Sequence, residues 1–248
     1  MPARLFIAGT DTGVGKTVLT ACLTRFLTGE DVAVRAVKPL ASGGREDARQ
    51  LRRAQGDRPS LDALNPWSFT APLAPAIAAQ REGRQVTRAE VAAWIRAQAA
   101  LADLLLVEGA GGLLSPLGSD FDLRDLIADL RAEVILVAAN RLGALNHVLV
   151  SLEALPPRNR RRAAVVLMSP PRTTLVSRTN ADYLRARLGG ARVIGFPWLG
   201  KDWLRRPLPG KAKRALNDLA RLLGLGGRRA CIAPGTGPHS ACRTPLPE

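Results

Sequence analysis

Short apolar runs alternate along the chain with longer stretches in which apolar residues recur every three or four positions. The apolar runs lie at residues 4–8, 33–37, 104–107, 134–139, 163–168 and 192–196, and each has the length of a buried strand. The amphipathic stretches predict helices at residues 17–27, 46–54, 87–100, 123–130, 145–155, 177–188 and 211–223. This alternation favours an α/β fold with a mostly parallel sheet and helices on both faces.

Two segments depart from the alternation. Residues 57–75 contain prolines and no period, so they predict a connecting loop near the substrate. From residue 224 onward glycine and proline are frequent and no hydrophobic period continues, which predicts a disordered tail at 224–248. One domain then covers residues 1–223. Because ligands of parallel sheets bind outside the carboxyl ends of the strands, we expect the functional residues there.

Composition narrows the classes of partner. The 248 residues, 46% of them hydrophobic, suffice for one large domain with an apolar core. The formal net charge of +15 is compatible with nucleic acid or an anionic surface as partner. However, the arginines are scattered and no aromatic cluster lies among them to stack on bases, so we expect no nucleic-acid partner.

Cysteine usage and hydropathy indicate the compartment. Three cysteines, without the spacing of a zinc site or a disulfide framework, indicate the reducing cytoplasm. The apolar run at residues 5–8 is too short for a signal peptide. No apolar stretch approaches the roughly 20 residues that cross a bilayer, so we expect no membrane partner.

The strongest chemical signal is the sequence Gly-Thr-Asp-Thr-Gly-Val-Gly-Lys-Thr at residues 9–17. It follows the first predicted strand and opens the first predicted helix. Gly13 and Gly15 allow backbone N–H groups to converge, and the helix N-terminus adds more donors. Lys16 can then reach the β- and γ-phosphates, and the Thr17 hydroxyl can ligate Mg²⁺. The segment predicts a P-loop NTPase-like phosphate site.

The segment departs from the generic P-loop in one position. The generic pattern has glycine six residues before the lysine, whereas here Thr10 occupies that position and the glycine is Gly9. The simpler interpretation is a chance glycine turn that ends in a Lys-Thr helix start. The strand before the segment and the helix after it favour the phosphate site.

Further motifs in chain order identify a family. The sequences Lys-Pro-Leu-Ala-Ser-Gly at residues 38–43 and Val-Glu-Gly-Ala-Gly-Gly at residues 107–112 follow the P-loop. Together with residues 65–69 and 141–147, these motifs resemble the dethiobiotin synthetase family of biotin biosynthesis. The resemblance covers residues 1–223, and five motifs in order make it specific.

The resemblance implies an ATP-dependent cyclo-ligase. In that family 7,8-diaminopelargonate takes up CO₂ as a carbamate, which ATP phosphorylates to a carbamic–phosphoric anhydride. The second amine closes the ring, so that dethiobiotin, ADP and phosphate are released. Because the substrate's own amine is the nucleophile, the protein's task is positioning and charge stabilisation.

The resemblance also implies roles for individual residues. The catalytic residues it implies are Lys38, Lys16 and Thr12, and the substrate contacts are Ser42 and Asn146. The magnesium ligands it implies are Thr17, Asp47 and Glu108. The nucleotide contacts form a larger set, namely Gly13, Val14, Gly15, Lys16, Thr17, Val18, Asp47, Glu108, Gly109, Ala110, Gly111, Ser169, Pro170, Pro197, Trp198 and Leu199.

Simpler interpretations exist for several of these residues. Lys38 can be an ordinary strand-end lysine, and Ser42 a turn former. Asp47 can be an acid favoured by the dipole at a helix start, and Glu108 a surface glutamate.

Residues 141–147 imply a partner subunit. In the family this segment comes from the neighbouring subunit, where the helix N-terminus receives the substrate carboxylate. The resemblance therefore implies a homodimer with shared active sites. From the residues alone, Asn146 and His147 are equally compatible with a plain helix start. We do not expect His147 to act as a base.

One stretch differs from the family. After the fifth strand the family usually has an asparagine that reads the adenine edge, whereas this chain has Ser169 followed by Pro170. A hydroxyl cannot offer the paired donor and acceptor of an amide. We therefore expect reduced selectivity for the base, and the segment around Pro197, Trp198 and Leu199 to contribute backbone contacts.

Other classes share the P-loop. A partitioning or positioning ATPase, which acts as a switch on DNA or membrane, has a signature lysine five residues before the main one, and Asp11 stands there. An amide-forming synthetase of the cobyrinate type carries an additional glutamine-hydrolysing domain, for which this chain has no room. A non-catalytic regulator is disfavoured because Lys16, Thr17, Lys38 and Glu108 are all present.

Overall fold

The computed structural model describes residues 3–225, so the predicted tail at 224–248 lies outside the described residues except for Gly224 and Leu225. The strands are β1 (Ala3–Gly9), β2 (Val34–Val37), β3 (Leu40–Ser42), β4 (Trp67–Phe69), β5 (Leu104–Glu108), β6 (Glu133–Ala139), β7 (Ala164–Met168) and β8 (Val193–Phe196). The helices are α1 (Lys16–Thr28), α2 (Glu46–Ala54), α3 (Pro75–Arg81), α4 (Arg88–Ala99), α5 (Leu123–Asp129), α6 (Ala144–Ala154), α7 (Pro157–Arg160), α8 (Leu175–Leu188) and α9 (Gly210–Leu222).

Six strands form one parallel sheet in the order β2-β5-β1-β6-β7-β8. These are the six strands that the apolar runs predict, each within one residue at either end. The seven predicted helices are also present, within two residues at either end. The predicted α/β class is therefore confirmed, because continuous apolar runs are typical of strands that are covered on both faces.

Both faces of the six-stranded sheet are buried, as the side chains of β1 illustrate. Its side chains alternate between two apolar clusters, because successive residues of a strand point to opposite faces. Phe6 and Ala8 pack in the cluster that α4, α5 and α6 cover. Leu5 and Ile7 pack in the cluster that α1 and α9 cover. The strand therefore carries no polar residue between Leu5 and Ala8.

One strand of a second small sheet lies in the region that the sequence predicts as a loop, and a helix begins at the last residue of that region. Strands β3 and β4 pair in parallel, with Leu40 opposite Trp67, and α3 starts at Pro75. Three-residue strands are too short to show a period, so the prediction of a plain loop at residues 57–75 is wrong in its second half. The Asn65 amide donates to the carbonyls of Lys38 (2.8 Å) and Pro39 (3.2 Å) and ties this layer to the end of β2.

The helices differ in how they begin. Helices α4, α5 and α8 each start with a capping box, in which side chains bond the first backbone N–H groups. Helices α1 and α6 start instead after left-handed glycines, Gly15 (φ 100°) and Gly143 (φ 89°), without a side-chain cap. Apart from the N–H of Ala144, which donates to the Arg141 carbonyl at 3.1 Å, the first N–H groups of these two helices are thus left for a ligand or for water.

No helix within residues 3–225 combines the length and the apolar character that crossing a membrane requires.

Candidate active site

The carboxyl ends of β2, β5 and β1 bring three motifs together. The P-loop follows β1, Lys38 follows β2, and Glu108 ends β5. Because these strands are neighbours in the sheet, their ends meet at one edge. A cavity of about 850 Å³ opens there between the P-loop, the segment that leads into α2, and the loop after β5.

The Lys16 side chain is buried below the P-loop. Its Nζ donates to the carbonyl of Asp11 (2.8 Å) and to that of Gly111 (2.7 Å). An ammonium has three N–H donors, so one remains for a phosphate oxygen. Burial, followed by the charge of Lys38, lowers the pKa of Lys16 from 10.5 to about 8.

The position of the first glycine has a structural reason. A Cβ atom on Gly9 would lie 2.7 Å from Lys16 Nζ and 2.8 Å from the Asp11 carbonyl oxygen. Both approaches are shorter than a carbon atom tolerates, so only glycine fits beside the folded-back ammonium. This explains why the glycine occurs at position 9 while Thr10 is accepted at the generic position.

Lys38 lies between two carboxylates. Its Nζ is 2.8 Å from Glu108 Oε1 and 2.8 Å from Asp47 Oδ2, and the Thr17 hydroxyl donates to the same Glu108 oxygen at 2.7 Å. Burial alone would lower the pKa of Lys38, but Glu108 and then Asp47 outweigh burial and raise it. The pKa of Asp47, which burial alone would raise, is lowered by Lys38. The site is therefore a charged network in which Lys38 stays protonated.

The oxygen atoms of this network suit a hard divalent cation. Glu108 Oε2 is buried and has no hydrogen-bond partner among residues 3–225. The other oxygen of this carboxylate, Oε1, accepts from the Thr17 hydroxyl, and the half-exposed Asp47 carboxylate is joined to the same network through Lys38. Mg²⁺ prefers such oxygen ligands and keeps several waters. The residues present thus fit the predicted magnesium site.

Two hydroxyls predicted to contact substrate also line this cavity. Thr12 is exposed to it, and its backbone N–H donates to Asp11 Oδ1 at 2.7 Å. The Ser42 hydroxyl donates to the carbonyl of Leu73 at 2.5 Å. Ser42 is therefore already committed to the segment between β4 and α3.

A second cavity of about 490 Å³ adjoins the first at the P-loop, and its lining is mainly apolar. It brings together the two segments predicted to meet the base, 169–170 and 197–199. The backbone N–H of Ser169 donates to the carbonyl of Phe196 (2.8 Å), so its hydroxyl is its remaining hydrogen-bond donor for a ligand. Trp203 lines both cavities.

Some predicted site residues do not line either cavity. Asn146 and His147 are exposed on α6, away from the site of their own chain. Gly109 packs against Leu123, where a Cβ would come within 2.6 Å of a leucine methyl. Its neighbours Ala110 and Gly111 line the larger cavity.

Sequence reasoning missed several lining residues. Gln50 and Ser115 line the larger cavity, as do the residues between β4 and α3, and Trp203 lies between the two cavities. Gln50 follows Asp47 by three positions on α2, a spacing that places both on one helix face. The spacing from Asp47 could therefore have identified Gln50 as a lining residue. The residues after β4 offered no such signal, because the strands of the small sheet are too short to show in the hydrophobic pattern.

Comparison with known proteins gives three kinds of match. A family model described as an AAA domain matches residues 3–201. The ATP-dependent dethiobiotin synthetase of Methylobacterium nodulans is 39% identical over 222 residues, which cover 81% of this chain and 98% of that protein. The proteins of the same name from Anaeromyxobacter dehalogenans 2CP-C and Mycobacterium sp. JLS are 44% and 43% identical, covering 66% and 76% of this chain and 75% and 85% of their own lengths.

A solved structure matches the fold. It is described as a plasmid partition protein from Borrelia burgdorferi B31 bound to AMPPNP, and it aligns with a TM-score of 0.52 over 90% of this chain and 98% of that chain. The sequence identity is 11%, so this likeness concerns the fold alone. It confirms the P-loop NTPase-like architecture.

Proposed function

Because this chain belongs to the dethiobiotin synthetase family and is an ATP-dependent ligase, we propose that it joins 7,8-diaminopelargonate and CO₂ through a carbamate and a carbamic–phosphoric anhydride. The observation that carries this proposal is the protonated, buried Lys38, which lies beside the phosphate cradle and faces a cavity lined by hydroxyls. An amine nucleophile supplied by the substrate needs positioning and charge stabilisation, and this cavity offers both.

The steps balance without a protein nucleophile. One substrate amine attacks the carbon of CO₂ and loses a proton, which gives the carbamate. A carbamate oxygen then takes the γ-phosphoryl group from ATP, and ADP leaves. Finally the second amine attacks the carbamoyl carbon, the bond from that carbon to the phosphate oxygen breaks, and phosphate and a proton are released.

Each charged group of the site has a proposed part in these steps. Lys16 and the uncapped N-terminus of α1 hold the transferring phosphoryl group, where negative charge is spread over its oxygens. Lys38 holds the carbamate and offsets its negative charge. Thr12 orients the carbamate, and the Ser42 oxygen, whose proton goes to the Leu73 carbonyl, accepts from the free amine. A magnesium ion on Thr17, Asp47 and Glu108 would neutralise charge on the ATP phosphates.

The base-side cavity is proposed to hold the nucleobase with little selectivity. Its described lining offers mainly apolar side chains, and the Ser169 hydroxyl replaces the amide of an asparagine. Pro170, Pro197, Trp198 and Leu199 can enclose any base through shape and stacking.

A homodimer is proposed to complete the carboxylate end of the site. Asn146 is exposed in the first turn of α6, a helix without a side-chain cap, and no residue of α6 lines either cavity of its own chain. Leu142 is 82% exposed and Val150, two turns further along, is 57% exposed, so an exposed apolar residue lies on either side of Asn146 along the chain. A second copy that covers these residues would place Asn146 and the helix N-terminus against the substrate carboxylate of the opposite site.

Turnover by the purified protein tests the reaction. Incubated with diaminopelargonate, bicarbonate, Mg²⁺ and ATP, the protein should yield dethiobiotin and phosphate in equal amounts. Omission of the diamine should stop phosphate release. Absence of dethiobiotin at high enzyme concentration would overturn the proposed reaction.

Complementation tests the shared site. Lys16→Ala and Asn146→Asp should each be inactive, because the first loses the phosphate contact and the second repels the substrate carboxylate. If the sites are shared, a mixture of the two variants after subunit exchange should recover roughly a quarter of wild-type activity, since half of the sites in mixed dimers are intact. No recovery, together with a monomeric mass in solution, would contradict the shared site.

A further inference from the structure

Ser115 closes the turn that follows the glycines after β5. The backbone N–H of Gly112 donates to Ser115 Oγ at 2.9 Å, and the backbone N–H of Ser115 donates to the Gly112 carbonyl at 3.2 Å. Its side chain lines the larger cavity, in which the proposed function places the carbamate. The two bonds fix the position of the hydroxyl oxygen without using its proton.

The hydroxyl proton of Ser115 is therefore available to a ligand. A serine hydroxyl has one donor and two acceptor positions. Among residues 3–225 the Ser115 oxygen accepts from Gly112, and no acceptor lies within hydrogen-bond distance of its own proton. Ser42 differs in this respect, because its proton goes to the Leu73 carbonyl. Of these two serines, Ser115 has the uncommitted donor.

The Ser115 hydroxyl lies close to Gly111 and on the same side of it as Thr12. A Cβ atom on Gly111 would be 2.4 Å from Ser115 Oγ and 3.8 Å from Thr12 Oγ1. Gly111 also has a φ of +69°, which favours glycine on its own account. Both hydroxyls thus lie near one point beside Gly111, whose carbonyl accepts from Lys16 Nζ.

We propose that Ser115 is a substrate-binding residue that donates its hydroxyl proton to an oxygen of the carbamate anion. This inference rests on the proposed function, since the carbamate is the ligand invoked. The phosphates have Lys16 and the N-terminus of α1 as donors. A neutral donor beside Thr12 holds a carboxylate-like oxygen without competing for the phosphates, because the charged groups attract those more strongly. Ser115 in this way favours the carbamate over the free diamine.

Calorimetric titration of diaminopelargonate, with and without bicarbonate, tests the proposal. The variants are Ser115→Ala, Ser115→Thr and the matched control Ser119→Ala, whose exposed serine bonds only its neighbour Asp120 among the described residues. Bicarbonate should tighten binding of the diamine to wild type by more than about tenfold, because Lys38 and Ser115 both contact the carbamate in this proposal. Ser115→Ala should lose about tenfold of this gain, at the lower end of the strength of a hydrogen bond to a charged group, whereas Ser115→Thr and Ser119→Ala should keep it.

Steady-state kinetics supply the second measurement. In Ser115→Ala the KM for the diamine should rise about tenfold, while the KM for ATP stays within about twofold of wild type. A residue that only closes the turn would change both KM values together and would lower the thermal stability. That result, or an equal loss of diamine binding with and without bicarbonate, would overturn the proposal.

Failure of this inference is distinguishable from failure of the proposed function. If wild type makes dethiobiotin and Ser115→Ala matches it in both measurements, only the role of Ser115 is wrong. If wild type makes no dethiobiotin, the proposed function itself is wrong.

Discussion

The two ends of the nucleotide site are built on different principles. At the phosphate end, Lys38 pairs with Asp47 and Glu108, and the buried Lys16 donates to two backbone carbonyls. The base end is an adjoining cavity with a mainly apolar lining of aliphatic side chains, prolines and tryptophans. In the proposed function, phosphate recognition therefore depends on individual charged groups, whereas base recognition depends on shape.

This difference predicts a different sensitivity to substitution. Charged groups in a site shielded from water interact strongly, and each lost partner leaves another group uncompensated. Apolar contacts are individually weak, so the loss of one leaves most of the total attraction in place. Single changes at the phosphate end should therefore abolish function, and single changes at the base end should adjust it.

The largest effects are expected at the two lysines. Lys16→Ala and Lys38→Ala should each reduce turnover by about a thousandfold or more, because each removes a charge that offsets developing negative charge. Product formation at saturating substrates measures this loss. Substantial turnover in either variant would remove that lysine from the proposed mechanism.

The same two variants should differ in stability. Folding lowers the pKa of Lys16 chiefly through burial, which means that the folded state disfavours the charged ammonium. Lys16→Ala should therefore change the free energy of unfolding by about 1 kcal/mol or less. Folding raises the pKa of Lys38, and its removal leaves Glu108 buried and unpaired at a cost of about 3–5 kcal/mol. Unfolding by chemical denaturant measures the stability of both variants. The double variant Lys38→Ala with Glu108→Gln should recover stability but not turnover.

Base selectivity is the next effect in size. The values of kcat/KM for ATP, GTP and CTP should differ by less than about a hundredfold, which corresponds to about 3 kcal/mol. Ser169→Asn should increase the preference for ATP by about tenfold, because an amide offers a donor and an acceptor together. A wild-type preference above a hundredfold would mean that the base end reads the base through polar groups after all.

Alkaline pH should weaken nucleotide binding. The pKa of Lys16 is about 8 in the free protein, so its charge is present below that pH and is lost above it. Binding of a non-hydrolysable ATP analogue should therefore fall by up to about tenfold per pH unit above pH 8. In Lys16→Arg the guanidinium stays protonated, and the decline should disappear whatever the absolute affinity. If the affinity of Lys16→Arg falls above pH 8 as it does in wild type, another group causes the pH dependence.

The smallest effect is expected at the rim of the base cavity. Trp198 lines this cavity and its residue is 56% exposed, so it is available for stacking. Trp198→Ala should raise the KM for ATP about fivefold, the lower end of the range for stacking of one base on an aromatic side chain. Trp198→Phe should keep most of the affinity. A thousandfold rise in the KM for ATP in Trp198→Ala would show that the base end is as sensitive to single substitutions as the phosphate end.

The sequence predicted the site residues that follow strands more completely than those in turns that return to the site. The P-loop, Lys38 and Glu108 each follow a strong apolar run, so the strands placed them at one edge of the sheet before any contact was known. Trp203 and Ser115 follow no periodic pattern, and they line the site only because turns return the chain to it. The residues between β4 and α3 were missed for the same reason.

What the sequence determined by itself is the sheet, its helices and the residue types that phosphate chemistry requires. Apolar runs of strand length and a glycine-rich turn ending in Lys-Thr carry that information locally. The tertiary structure alone decided that Lys38 lies between Asp47 and Glu108, that Gly9 is needed beside the Lys16 ammonium, and that the Ser115 proton is uncommitted. Those are contacts between distant segments, and their energies depend on distance and burial, which a linear pattern does not contain.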